Sequence, residues 1–549
     1  MTRSPWPPLI GGAVLCCLST GAPAQSTPTD DAPALPEVSV SGGAAGTLRR
    51  PSAATVESAT REDVDLRVNA TDSEDALKYL PSLLVRKRYI GDYNHAILST
   101  RASGTGNSAR SAVYADGILL SNYLGNGIAN GTNYAPRWSL VTPEEIERVD
   151  VLYGPFSAAY PGNSAGAVVD YVTRMPSRLE AHVSAGYQSQ PNDLYGDRRT
   201  YASWQTSAAL GSRSGAWAWW LDFSRSDSRS QPLTFATATV AAGTPGAAGV
   251  PVTGAVSGRS TTNAPWYVLG AGTQYHTVQD HAKLKLAYDF SPTLRAGYVL
   301  GWWQNQAQGR AVSYLRGPDG QPVYSGAVNI DGRGYTLAPT ALGLTDDAQT
   351  HVMHGFSLKR HAGGTFDWEL SASLYDYVRD RQRAPTTELP GAGAGGPGTL
   401  QSQDGTGWNT LAARGTWRPQ GASGAHVLDF GAGRDAWRLD ILKTGVAGDW
   451  RSGPADPAAL VSDVGGRART FYAWGQDTWR LAPRLTATLG LRWERWRASD
   501  GFTRTAAGGS QDYAARHDAG LSPKATLAWR WDSDTVLKAS LGRALRFPT

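Results

Sequence analysis

Apolar and polar residues alternate one by one through most of the chain beyond residue 177. From Lys283 to Phe290 one side reads Leu284, Leu286, Tyr288, Phe290 and the other Lys283, Lys285, Ala287, Asp289. From Leu485 to Trp493, the residues Leu485, Ala487, Leu489, Leu491 and Trp493 oppose Thr486, Thr488, Gly490 and Arg492. Trp368, Leu370, Ala372, Leu374 and Ala525, Leu527, Trp529, Trp531 repeat the pattern. A period of two with faces of opposite polarity predicts antiparallel strands, each with one apolar and one wet face. The spacing between strands then separates a soluble sandwich from a membrane barrel. Ser212-Arg213-Ser214, Ser291-Pro292-Thr293, Leu481 to Arg484 and Asp532 to Asp534 are tight turns, whereas 227–277, 309–350, 381–407 and 440–468 are long. Short and long connections in alternation predict a transmembrane β-barrel with turns at one rim and loops at the other; a soluble sandwich or propeller needs no such asymmetry. Trp217, Trp219, Trp220, Trp302, Trp303, Trp493, Trp496, Trp529 and Trp531 lie near strand ends, as aromatic girdles would. The pattern predicts about thirteen strands, whereas bacterial single-chain barrels have an even number and an open one leaves backbone unpaired in lipid. The expectation is therefore a barrel, 177–549, that is C-terminally incomplete.

Before Pro176 the pattern changes to short mixed elements, predicting a small α+β domain over 53–176. Thr71-Asp72-Ser73-Glu74 has the form of a capping box that starts a helix through Asp75, Ala76, Leu77 and Tyr79, with Pro81 stopping it. Thr142-Pro143-Glu144-Glu145 has the same form, with Thr142 as cap and Glu145 reaching back. Between them, Ser111 to Leu120 alternates on both sides of Asp116-Gly117, a hairpin signal. Glu147 to Tyr153 predicts a further strand ending in the turn Gly154-Pro155.

The N-terminus adds a compartment. Arg3, the apolar run Leu9 to Leu18, and Ala22-Pro23-Ala24 before Gln25 form a secretory signal peptide, 1–24. The following arm, 25–52, begins with aperiodic Pro, Thr and Asp. Inside it, Leu35-Pro36-Glu37-Val38-Ser39-Val40-Ser41-Gly42 reads as a lone strand. Two readings fit: a segment that adds to the edge of a partner's sheet, or the first strand of the next domain.

Composition narrows the chemistry. The 549 residues include 63 Gly, 20 Trp and 23 Tyr, and the charge is +5. That length calls for more than one module, and so small a charge is no nucleic-acid surface. No apolar run is long enough for a transmembrane helix. The only cysteines, Cys16 and Cys17, lie in the signal segment, so the mature chain has no thiol chemistry. No Ser/His/Asp order, zinc spacing or phosphate loop stands in structural context, so no catalytic residue, metal site or cofactor is assigned. His351 and His354, three apart on a strand, point to opposite faces. The two methionines outside the signal, Met175 and Met353, are too few for a copper-capturing loop.

Several segments resemble the TonB-dependent outer-membrane transporters. Ile97 to Arg101 is similar to the family strand ending in Arg-Gly, with Ala102 where Gly is usual. Val113 to Gly117 resembles its DG hairpin, and Pro143 to Pro155 its IERVEVLRGP segment, with Asp150 for Glu. Ala159 to Gly162 and Ala165 to Arg174 resemble LYG…GGVINIVTK, with Pro161 inserted, and Gly542 to Thr549 resembles a mid-to-late barrel motif. The resemblance implies a barrel of about 22 strands, some nine more than are present, around the α+β domain as a plug. It also resolves the lone strand as the TonB box, Leu35, Pro36, Glu37, Val38, Ser39, Val40 and Ser41, captured by the TonB complex of the inner membrane.

The implied function is TonB-powered uptake across the outer membrane of a Gram-negative bacterium. The expected cargo is a ferric siderophore, its iron arriving as a transported chelate; cobalamin, a glycan or haem are the other solutes, and a soluble secreted β-rich binding protein or enzyme the alternative class. A signalling receptor needs an extra domain of about 80 residues before the box, which Gln25 to Ala34 cannot hold. By the family layout, ligand contacts are expected from Arg88, Tyr89, Tyr93, His95, Tyr123, Asn126 and Tyr134, whose cationic and aromatic character suits an anionic aromatic chelate. A solvated turn is the other reading of the first loop, and packing on the wall that of Tyr134. Arg101, Arg110 and Arg148 with Glu144, Glu145 and Glu147 are the residues for ion pairs between plug and barrel; solvated helix charges are the other reading of the glutamates.

Overall fold

The computed structural model describes residues 55–100, 110–124, 135–154, 157–246 and 248–548. The signal segment, Leu35 to Ser41, Arg101, Asn126 and Tyr134 lie outside them.

The N-terminal domain is a five-stranded sheet, in the order β1 (Val56–Thr60), β6 (Ile146–Tyr153), β7 (Ala167–Thr173), β4 (Ser111–Ala115) and β5 (Ile118–Leu119). A separate pair is formed by β2 (Leu83–Arg86) and β3 (Ile97–Thr100). The central strand β7 is buried along its whole length, which is why its sequence, Ala-Val-Val-Asp-Tyr-Val-Thr, is nearly continuous apolar rather than alternating. The hairpin turn has positive φ at both Asp116 (49°) and Gly117 (82°), the geometry that an Asp-Gly pair adopts at least cost.

Helical structure is smaller than the caps suggest. The single α-helix among the described residues, α1 (Arg61–Arg67), is closed by a reciprocal pair in which Thr60 N–H donates to Asp63 at 3.0 Å and Asp63 N–H donates to Thr60 Oγ1 at 3.2 Å. The segment Ser73–Leu77 is a 3₁₀ turn. Its N-cap is Asp72, and the residue reaching back is Asp75, not Glu74: Asp75 Oδ2 accepts the Thr71 N–H and hydroxyl, both at 2.9 Å, and the Asp72 N–H at 3.2 Å. Glu74 is turned inward and buried. At Thr142 the expected pairing forms, its N–H donating to Glu145 Oε1 at 3.0 Å.

Numbering only the strands of its wall, the second region comprises β8 (Glu180–Leu194), β9 (Asp197–Ser214), β10 (Trp217–Arg229), β11 (Pro265–Ser291), β12 (Leu294–Ser313), β13 (Thr345–Arg360), β14 (Phe366–Pro385), β15 (Gly407–Trp417), β16 (His426–Val446), β17 (Ala455–Ala482), β18 (Leu485–Thr505), β19 (Arg516–Arg530) and β20 (Val536–Gly542). These thirteen strands, among the described residues, pair antiparallel with their sequence neighbours and curl into a barrel. Apolar residues are exposed on the outside, among them Leu221, Phe223, Leu370, Leu374, Leu411, Leu489 and Leu491. Trp303, Met353, Tyr375 and Trp408 face inward and join the core of the N-terminal domain in one cluster.

Strand parity corrects part of the tryptophan girdle. Adjacent residues on a strand point to opposite faces, so Trp220, Trp303 and Trp496 are buried, while Trp217, Trp493, Trp529 and Trp531 are exposed outside. The long-loop rim also has one short connection, Tyr195-Gly196 between β8 and β9, with φ of 50° and 84°. Two of the long loops are themselves folded. Thr244–Pro245, Arg333–Leu337, Gly326–Ile330 and Val250–Pro251 form a four-stranded sheet over a core that includes Leu315, Val328, Ile330 and Leu337.

The wall makes room for the plug at Gly355 of β13, where an added Cβ would stand 2.1 Å from Ile118 Cδ1 of the plug hairpin. Gly355→Phe is therefore expected to push the hairpin off the wall, an overpacking cost of about 1–3 kcal/mol. Single-channel recordings in planar bilayers test this: the variant should leak small ions where the parent is silent, and equal silence would refute the contact.

Candidate functional site

The candidate site is the contact between the plug and the inner wall. Its first part is a polar seam along β10 and β11. Because residues two apart share a face, Gln279, His281, Lys283 and Lys285 all point into the lumen. Gln279 donates to the Gly91 carbonyl at 2.7 Å. Lys283 pairs with Glu145. Lys285 donates to the Arg174 carbonyl at 2.6 Å and to the Thr173 hydroxyl. On β10, Asp222 accepts from Thr142 Oγ1 at 3.2 Å and lies 3.3 Å from His281. The plug turn around Arg88 to Gly91 is held in the same way: Ser228 donates to the Ile90 carbonyl at 2.6 Å and Gln231 to the Arg88 carbonyl at 2.8 Å.

The second part lies toward the long-loop rim, where Asn122 and Arg137 of the plug meet β13, β14 and β15. Asn122 donates to the Tyr377 hydroxyl at 2.8 Å, and Arg137 donates to the same oxygen while its guanidinium lies 5.1 Å from the ring. His351 stacks on Tyr377 at 3.9 Å and bonds Tyr375 and Asp380, each at 3.0 Å. Trp408 stacks on Tyr375 at 4.2 Å and donates to the Leu119 carbonyl at 3.0 Å. The arrangement is a cation held against aromatic faces with every hydroxyl engaged. From the sequence none of these wall residues is assigned to a site, and His351 is placed only by its strand face; the alternation of β14 marks Tyr375 and Tyr377 as one face, but their partners depend on long-range register.

The residues expected to contact ligand divide. Arg88 is half-buried and clamped by Asp92 through two bonds of 2.8 and 2.9 Å. Tyr89 is buried, its hydroxyl 3.4 Å from Thr277. Tyr93 is buried and donates to Asp347. His95 is partly buried, which with the Arg88 charge lowers its pKa. Tyr123 is buried and donates to the Ser111 carbonyl at 3.1 Å. Among the residues expected to pair with the barrel, Glu145 meets Lys283 and Glu144 accepts from Ser207 at 2.5 Å. Arg148 instead bonds Asp150 inside the plug at 2.9 Å, because the two lie on one face of β6. Arg110 immediately precedes β4 and Glu147 lies within β6. No group of three or more His, Cys, Asp or Glu among the described residues comes together as a metal site.

With this geometry in hand, two family models match: TonB-dependent Receptor Plug Domain over residues 49–168, and TonB dependent receptor-like, beta-barrel over residues 299–549. The chain belongs to the TonB-dependent receptors. That family's members are transporters and receptors, not enzymes. The fold is similar to that of the unliganded ferric citrate transporter FecA, at 15% identity and TM-score 0.58 over 89% of this chain and 62% of that one. It is also similar to the alcaligin receptor FauA of Bordetella pertussis (13%, 0.54, 90% and 63%) and the ferric yersiniabactin uptake receptor FyuA of Yersinia pestis (15%, 0.53, 88% and 63%). The chain thus spans under two thirds of each of these proteins. A comparison with curated proteins gives no match.

The motif GGVINIVTK has asparagine where Asp170 stands. Asp170 is buried on β7 opposite Asp150, and neither of its oxygens has a hydrogen-bond partner among the described residues. Burial first, then the Asp150 and Asp116 charges, push its pKa up to about 8, against the weaker pull of Arg148 and Lys359. Between roughly pH 4 and 8 the unfolded chain has released this proton while the folded plug keeps it, so stability falls as pH rises through that window. Each unit of elevation corresponds to about 1.4 kcal/mol. Asp170→Asn should therefore raise the unfolding temperature more at pH 8 than at pH 5, with little change at pH 4; an equal shift at all three would refute the assignment.

Proposed function

We propose that this protein imports a ferric siderophore across the outer membrane of a Gram-negative bacterium, powered by the TonB complex of the inner membrane. The observation that carries the reading is the plug within the lumen, tied to the wall by the seam of Gln279, Lys283, Lys285, Asp222 and Ser228. A passive pore has no use for a stopper. A pump in a membrane without its own energy source needs one that holds until pulled. Polar bonds suit that duty, since each exchanges for a bond to water when the plug shifts and leaves little net cost.

Leu35 to Ser41 is the proposed handle. An extended segment that adds to a partner's sheet forms a row of main-chain bonds which resist shear together. The first described strand that follows it in sequence, β1, is the edge strand of the plug sheet and pairs with β6. The substrate class draws support from the structurally similar receptors for ferric citrate, ferric yersiniabactin and alcaligin. It also draws support from the Arg137 cation over the Tyr377 ring on the long-loop side, the chemistry that receives an anionic aromatic chelate.

Growth and radiolabelled iron uptake with a panel of purified siderophores, in cells with and without the gene, test the cargo. One chelate should lose uptake on deletion, and loss for none would reject the iron assignment. Val38→Pro removes one main-chain donor from the handle. It should abolish uptake while cells still bind the chelate at their surface; transport at the parental rate would reject the box.

A further inference from the structure

The outer face of β17 and β18 changes character abruptly along its length. Going away from the short Leu481 to Arg484 turn, the outward residues of β18 are Leu489, Leu491 and Trp493, all exposed, and then Arg495 and Arg497. On β17 the outward series passes from Phe471 to Arg469 and Arg467 at the same height. The three arginines Arg469, Arg495 and Arg497 therefore form one patch directly above a row of apolar side chains.

The height of the change is informative. From Leu485 to Arg495 is ten residues, or ~25 Å along the barrel axis at the usual rise and a tilt near 40°. That matches the height of the apolar band that such barrels present to lipid, about 25 Å. The arginines begin where hydrocarbon ends, on the rim of the long loops.

Among the described residues the patch also lacks its own counter-charge. Arg469 and Arg497 are directly opposite across the β17/β18 ladder, a like-charge pairing that destabilises a sheet unless something neutralises it. The other cross-strand neighbours are Ala436 for Arg469, His517 for Arg497, and Phe471 and Ala519 for Arg495. None is acidic. By contrast Arg467, next on the same face, lies 3.6 Å from Asp500, and Arg438, across from it, is paired with Asp440.

We propose that Arg469, Arg495 and Arg497 bind the phosphate groups of an anionic, phosphorylated lipid of the outer leaflet, whose acyl chains lie on Phe471, Trp493 and Leu491 below. The assignment rests on the barrel standing in the outer membrane with its long loops outward, as proposed above. Arginine suits the task because its planar fork bonds phosphate oxygens in pairs. A lipid satisfies both halves of the surface at once, whereas a free phosphate satisfies only the upper half. The occupant would stand between two arginines that otherwise repel, bracing this wall of the barrel.

The test uses the full chain, expressed in the outer membrane, extracted in mild detergent and examined by native mass spectrometry after delipidation and titration with lipid A, phosphatidylcholine or inorganic phosphate. Lipid A should bind in a stoichiometric, salt-sensitive manner and the other two should not. Arg469→Gln/Arg495→Gln/Arg497→Gln should weaken lipid A binding at least tenfold, whereas the triple lysine variant should keep most of it. Heat-modifiable mobility on gels confirms that each variant is folded. Unchanged lipid A binding by the folded glutamine variant, or equal binding of phosphatidylcholine, would overturn the proposal, as would binding of inorganic phosphate alone. Absence of the parent protein from outer-membrane fractions would instead overturn the reading beneath it.

Discussion

A backbone that crosses hydrocarbon has no water to bond, so every N–H and C=O must find its partner within the protein. The long antiparallel ladders from β8 to β20 answer that demand, and the rest of the molecule follows from it. A sheet that curls to pair its strands encloses a lumen, and a lumen through a membrane is a leak unless something fills it. The plug fills it, and under the proposed function, in which the filler must later move, it cannot be fused to the wall by a large apolar contact alone. Here Val299, Trp303, Met353, Tyr375 and Trp408 give the plug an apolar bed, while Gln279, Lys283, Lys285 and Asp222 set its position by polar bonds.

Burying those charges has a cost that the seam meets by pairing. Lys283 with Glu145 and His281 beside Asp222 are opposite charges or partners brought together on facing elements. Removing one member of such a pair would leave a buried charge alone, which costs more than the pair contributes. Asp170 shows the alternative solution: without a cationic partner in contact and with Asp150 across the ladder, it keeps its proton.

The strands, the tight turns and the plug hairpin were legible because each rests on a local signal: a period of two, or Asp-Gly with both φ positive. The girdle was half legible. Runs such as Trp219-Trp220 and Trp302-Trp303 mark the right heights, but only parity decides which indole meets lipid, and Trp220 and Trp303 turn inward. The loop sheet was not legible, since two of its strands are two residues long and Thr244 pairs with Gly334 across a wide sequence gap. The site was legible in residue type more than in partner. Glu145 was named, yet Lys283 was seen only as one side of an alternating strand, because their meeting depends on how the plug sits in the barrel. Tyr89, Tyr93 and Tyr123 have aromatic bodies that gain more by packing than by standing in water, and all three are buried.

The central claim is that alternate residues of the barrel strands face lipid and lumen. The described strands contain no cysteine, so single-cysteine spin labels placed one at a time from Leu485 to Trp493 in the reconstituted protein read it directly. Collision with oxygen, which concentrates in hydrocarbon, should peak at Leu485, Ala487, Leu489, Leu491 and Trp493 and fall at the residues between. A polar nickel chelate should collide freely at every odd position if the claim is wrong, leaving no two-residue rhythm in the oxygen signal.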